Sequence, residues 1–105
     1  MKNYDIYTIR FKYEDSNDSK IRPALILDDS VILLSKITSN LLIRDKYCYR
    51  IVDYKEAGLE KPSVVRLNKN IIAKESDLLK YVGHLSERDI GRIEKILKQK
   101  WNSNW

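Results

Sequence analysis

The sequence holds one cysteine, Cys48, and one histidine, His84, in 105 residues. A single cysteine excludes an internal disulfide and fits a reducing compartment. One Cys and one His cannot supply the four ligands of a zinc site of the paired-cysteine kind. Glycine and proline are scarce, at three and two residues. No uninterrupted apolar run exceeds four residues, Val31 to Leu34 being one such run, so neither a membrane span nor a signal-peptide core is present. What remains is the composition of a folded soluble protein, 43% apolar and 33% charged. A chain of this length is expected to form one domain, residues 1–105, because either half alone would bury too little surface. The expectation is a cytoplasmic globular protein with no membrane segment, no metal and no cofactor.

Acidic and basic residues are unevenly distributed. Residues 1–19 carry three Lys/Arg and four Asp/Glu, residues 75–105 carry six and five, and residues 20–74 carry eleven and six. The whole net charge of +5 therefore falls in the middle of the chain. Basic charge concentrated on one part of a small fold attracts polyanions, of which nucleic acid is the commonest in a cell.

The hydrophobic pattern is mostly that of strands. Tyr4 to Tyr13 alternates, with Tyr7, Ile9, Phe11 and Tyr13 on one face and Thr8, Arg10 and Lys12 on the other. Glu14 to Ser19 is wholly polar and reads as an exposed loop. Pro23 marks the first residues of a strand continuing through Ala24, Leu25 and Ile26. Asp28-Asp29-Ser30 turns the chain into a buried strand over Val31 to Ile37, and Tyr47 to Asp53 forms another. Gly58 interrupts the pattern, Ser63 to Leu67 and Ile71-Ile72 read as two short strands, and Ser76 to Tyr81 as one or two helical turns. Ser86 is a good N-cap, Glu87 and Asp89 suit the positive end of a helix, and Leu85 can pack on Ile90. Ile90, Ile93, Leu97 and Trp101 then recur at helical spacing, predicting a helix from about Glu87 to about Lys100 with one apolar stripe to dock. Trp105 ends a polar tail. The fold class is mainly β with a C-terminal helix, a small, strongly bent barrel capped by that helix.

Five segments, in order, carry a resemblance: Asp5-Ile6-Tyr7; Lys20-Ile21-Arg22-Pro23-Ala24-Leu25-Ile26; Lys36-Ile37-Thr38-Ser39; Ala57 to Leu67 (AGLEKPSVVRL); and Val82-Gly83-His84-Leu85-Ser86. No one of them is diagnostic, but in this order over nearly the whole chain they resemble the PemK/MazF toxins of type II toxin–antitoxin systems. The resemblance implies an SH3-like, CcdB-like barrel that forms a homodimer with an RNA groove across it. It also implies an endoribonuclease that cuts single-stranded RNA without a metal, the ribose 2′-OH attacking the phosphate, and a cognate antitoxin that blocks the groove.

Attack by a 2′-OH needs a base for the hydroxyl, donors for the phosphorane oxygens and a proton for the leaving 5′-oxygen. The family's functional arginine matches Arg22, whose guanidinium is a rigid fork suited to phosphate. Its hydroxyl residue matches Thr38, with Ser39 and Asn40 adjacent. Lys36, two residues before Thr38, falls on the same strand face and can hold a neighbouring phosphate. Lys20 and Lys69 complete the expected RNA-binding set. The base has no counterpart: the first loop holds no histidine, and Asn68-Lys69-Asn70 stands where relatives carry an acidic or Gln-Arg element. The usual glycine before Asp5 is replaced by Tyr4. His84, leading into the last helix where relatives often have arginine, lies away from the expected groove, and Cys48 reads as a small packed hydrophobe.

The absent base leaves a second reading open, a catalytically degenerate barrel that binds nucleic acid or protein without cutting. A third, the related barrel that poisons DNA gyrase, has no feature in this sequence that selects it.

Overall fold

In the computed structural model, which describes residues 1–12 and 19–102, six strands form one antiparallel sheet followed by a helix. The strands are β1 (Asp5–Lys12), β2 (Ser19–Asp28), β3 (Leu33–Thr38), β4 (Cys48–Arg50), β5 (Val64–Ile72) and β6 (Leu78–His84), and the helix is α1 (Glu87–Asn102). The sheet order is β4-β5-β3-β2-β1-β6. The expected class, mainly β with a C-terminal helix, is the one observed. Tyr13, the Glu14–Asp18 part of the expected loop, and the Ser103–Trp105 tail lie outside the described residues.

Alternation sends apolar residues to both faces of this sheet. Ile6, Leu25, Ile37, Val65 and Leu67 pack with Ile93 and Leu97 of α1, while Ile9, Phe11, Ala24, Ile26 and Leu34 form a second core on the opposite face. Both faces of a central strand can be buried only because the sheet bends. Register shifts interrupt three of its ladders, the longest in β5, where Asn70 pairs with Ser35 but Arg66 pairs with the next residue, Lys36. The extra residues bulge out of the ladder, and the expected short strands around Val65 and Ile71 are two halves of one bent strand.

Other boundaries depart from the sequence pattern for local reasons. β2 begins four residues before Pro23, which pairs with Thr8 in its interior. The ladder with β3 starts only at Ala24, so the missing proline N–H interrupts no second ladder. The strand expected from Val31 begins at Leu33 because Ile32 adopts a left-handed φ of 48°. β4 stops at Arg50 rather than Asp53, because the backbone N–H groups of Val52 and Asp53 turn to the Asp89 carboxylate at 3.0 and 2.8 Å. The helical turns expected over Ser76–Tyr81 shrink to a single 3₁₀ turn at Glu75–Asp77, and the chain from Leu78 onward is β6, paired along β1. Cross-strand pairing there overrides the weak helical spacing.

Tyr4, in the place of the usual glycine, has φ 70°. The strain of a left-handed tyrosine is offset by packing its ring against the main core.

α1 is seated through its first turn. Ser86 caps it, its Oγ accepting the Asp89 N–H at 3.2 Å, as the N-cap pattern predicts. Asp89 itself is fully buried and accepts hydrogen bonds from Val52, Asp53 and the Tyr49 hydroxyl. Burial of a charge is tolerable when its oxygens are satisfied in this way. Asp53, just above, is held below the usual carboxylate range by hydrogen bonds first from Arg88 and then from Ser86. Ile93 and Leu97 complete the buried stripe, but Trp101, expected to continue it, is 61% exposed, and Ile96 packs on the core instead.

The two ends of the sheet meet through backbone. The loop after β4 lies against β6 so closely that a Cβ on Gly83 would stand 2.2 Å from the Ala57 carbonyl oxygen. A Cβ on Gly58, whose φ is +87°, would stand 2.3 Å from the Val82 carbonyl oxygen. Gly83→Ala is expected to destabilise the fold by about 2 kcal/mol, a fall in Tm of roughly 10 °C for a domain of this size. A thermal melt matching wild type would rule out this close approach.

Burial, reinforced by the Asp89 hydrogen bond, pushes the Tyr49 phenol up to about 12. A raised acid contributes stability below its ordinary value of 10.0 that is lost as pH rises toward the folded value. Denaturant titrations between pH 8 and 12 should show that loss in wild type and a flatter profile in Tyr49→Phe; parallel profiles would count against it.

Candidate functional site

An open groove of about 530 Å³ lies where β2, β3, β6 and the loop after β4 converge. β1 and β2 contribute Thr8, Arg22 and Pro23, the end of β3 contributes Ile37 and Ser39, the loop contributes Gly58 to Lys61 with Ser63, and β6 contributes Lys80 to Val82. The close backbone contact between loop and β6 forms one end of it.

Arg22 is exposed on β2, opposite Ile9. Its guanidinium donates to the Ile21 carbonyl at 3.2 Å and forms no ion pair with any described carboxylate. The contrast with Arg66, held by Asp45, and Arg88, held by Asp53, is clear: those two fasten loops, and Arg22 fastens nothing described. Lys61 and Lys80 line the same groove and likewise have no ion-pair partner among the described residues. Glu60 is the one carboxylate among the described lining residues. Three cations and one carboxylate give the groove a positive field suited to a phosphodiester, with a single oxygen base beside it.

Thr38 is half-buried at the end of β3. Its Oγ1 accepts the backbone N–H of Asn40 at 3.1 Å, a local turn that fixes the oxygen and leaves the hydroxyl proton to be donated elsewhere. Continuing the Ala24–Lys36 register by two residues puts Arg22 and Thr38 across from each other on the same face of neighbouring strands. Thr38 itself is not among the residues that line the groove, to which this end of β3 contributes Ile37 and Ser39.

A model of the family of PemK-like, MazF-like toxins of type II toxin–antitoxin systems matches residues 2–100. The chain belongs to that family. Among solved structures it is similar to an endoribonuclease in complex with its cognate antitoxin from Mycobacterial species, with a TM-score of 0.77 and 12% identity over 100% of this chain and 98% of that one. At that identity the likeness is one of fold. No curated protein sequence matches the chain significantly.

The structure distributes the other expected toxin residues differently. Ser39 lines the groove. Asn40 beside it is engaged in the turn, its Oδ1 accepting the Leu42 N–H at 3.1 Å. Lys36 shares the Thr38 face, but its Nζ sits 4.8 Å from the centre of the Phe11 ring, over the second core. Lys20 pairs across from Phe11, and Lys69 is exposed on the β5 bulge; neither lines the groove. Asn70, in the stretch where a base was sought, is engaged in structure, accepting from Ser35 Oγ at 2.5 Å and donating to the Leu67 carbonyl at 3.0 Å. His84 lies outside the groove with its Nδ1 2.8 Å from buried Asp5, and Cys48 is half-buried on β4. Among the described residues no cluster of His, Cys, Asp or Glu could hold a metal ion, and no helix is long and apolar enough to cross a membrane.

Sequence reading missed Glu60, Lys61, Lys80 and Tyr81. The first two stood inside the AGLEKPS segment already singled out, where charge between Gly58 and Pro62 was the available signal. The other two were hidden by reading Ser76–Tyr81 as helical, which gave no face to assign them.

Proposed function

We propose that this toxin-family chain is an endoribonuclease that cuts single-stranded RNA by metal-independent internal attack of the ribose 2′-OH. The observation that carries the reading is the pairing, in one groove, of a guanidinium with no described ion-pair partner, Arg22, and a carboxylate, Glu60. Glu60 takes the proton of the 2′-OH as its oxygen attacks phosphorus. Arg22, helped by the Thr38 hydroxyl, donates to the non-bridging oxygens as negative charge builds on the phosphorane. The P–O5′ bond breaks, an ammonium of the groove, Lys61 or Lys80, protonates the departing oxygen, and the products carry a 2′,3′-cyclic phosphate and a 5′-OH. Ser39 and the remaining basic residues of the middle segment, Lys20, Lys36 and Lys69 with Asn40, extend the RNA-binding surface beyond the scissile phosphate. The protein works as a homodimer of SH3-like barrels in the cytoplasm, where its RNA is, and its antitoxin restrains it by covering the groove.

The test is incubation of the purified protein with a long single-stranded RNA in excess EDTA, beside Arg22→Ala and Glu60→Gln. Wild type should yield discrete fragments with 5′-hydroxyl ends, and each variant should cut at least about a hundredfold more slowly while melting at the wild-type temperature. Cleavage undiminished in Arg22→Ala would refute the site. Salt-sensitive RNA binding without cutting would favour the non-catalytic binding module instead. Sedimentation at micromolar concentration should give a dimer; a monomer would refute the two-subunit groove.

A further inference from the structure

Resting on this RNA reading, we infer that Tyr81 is a nucleobase-stacking platform beside the phosphate site at Arg22. Tyr4, Tyr47, Tyr49 and Tyr54 pack against the main core and Tyr7 against the second, but Tyr81 belongs to neither and is 51% exposed. It lines the groove together with Arg22 and Lys80. An exposed aromatic on an edge strand adds nothing to the core and invites non-specific association, so a ligand that uses the ring accounts for it better than packing does.

The ring is also held in place. Tyr81 pairs with Tyr7 across β1 and β6, and the two rings meet edge to face with centroids 5.4 Å apart and planes at 69°. Such a contact steadies a ring through one side and leaves the rest of it available. A platform whose orientation is fixed beforehand loses little conformational freedom when a base stacks on it.

Placement relative to the phosphate site is set by the register. Arg22 pairs with Ile9, and Tyr81 pairs with Tyr7 on the same face of β1. The two residues therefore flank β1, two strands apart and two positions along, which ordinary sheet spacing makes about 12 Å between Cα atoms. One arginine side chain and one nucleotide together span that gap. With Arg22 on a phosphate, the base of an adjacent nucleotide reaches the Tyr81 ring. Stacking of this kind tolerates any base, because each has a π face.

The experiment measures binding of the full chain to a short single-stranded 2′-O-methyl oligoribonucleotide, which cannot be cut by 2′-hydroxyl attack, using fluorescence anisotropy in EDTA. Tyr81→Ala should bind about tenfold or more weakly, and Tyr81→Phe, which keeps the ring, should bind like wild type. Replacing successive bases with abasic sites should weaken wild type at one position and leave Tyr81→Ala unaffected there. Equal binding by wild type and Tyr81→Ala, or loss in Tyr81→Phe equal to that in Tyr81→Ala, overturns the stacking role alone. A Tyr81→Ala protein that sediments as monomer assigns the ring to subunit contact and overturns it too. No binding by wild type would instead remove the RNA reading on which the inference stands.

Discussion

The close approach of two backbone segments, Ala57–Gly58 on Val82–Gly83, is the constraint on which the groove depends. A flat six-stranded sheet would leave β4 and β6 at opposite edges, far apart. Here the loop following one edge rests directly on the other, because neither Gly58 nor Gly83 carries a Cβ to hold them off. That contact sets Glu60 and Lys61 on one wall and Lys80 and Tyr81 on the other. Arg22 and Ser39, delivered by β2 and the end of β3, complete the site between them. The shape of the groove is then a consequence of how tightly the sheet curls, so a methyl group at Gly83 acts on it through the walls it pushes apart.

Asp89 fixes the same loop from behind. Its carboxylate, buried at the start of α1, takes the N–H groups that would have extended β4, and in doing so ends that strand and begins the groove-forming loop. One side chain thereby settles the helix position, the strand boundary and the loop path. Arg88 and Asp53 add an exposed ion pair over it, which on general grounds contributes modestly. The polar core of this protein is accordingly a device for placing a loop, and its charged groups face away from the reaction.

The chemistry proposed for the groove is modest in parts and demanding in arrangement. Internal transesterification carries its nucleophile in the substrate, so a base, a few donors and an acid suffice, and a dedicated cation-binding cradle adds nothing to that scheme. Arg66 and Arg88 are held by carboxylates, whereas Arg22, Lys61 and Lys80 line the groove with no ion-pair partner among the described residues. Thr38 closes the turn after β3, its oxygen accepting the Asn40 N–H.

Much of this was legible in the residues themselves. Strand alternation in β1, the Ser86 cap, the extent of α1 and the order of the family segments are encoded locally, because each depends on neighbours within a few positions along the chain. The exposed place of Arg22 beside Pro23 on a strand was legible for the same reason. What local reading could not supply were the bulge that joins two short strands into β5, the β6 pairing that overrides helical spacing at Tyr81, the exposure of Trp101, and the place of the Glu60 carboxylate in the groove. The first two and the last are settled by contacts between residues distant in sequence: Ser35 with Asn70, Tyr7 with Tyr81, and Ala57 with Gly83. The sequence by itself determined which residues carry apolar, cationic and hydroxyl chemistry and which short segments they prefer. Only the tertiary structure decided which of them share a groove, because that depends on where a bent sheet brings its two edges together, and no spacing along the chain records it.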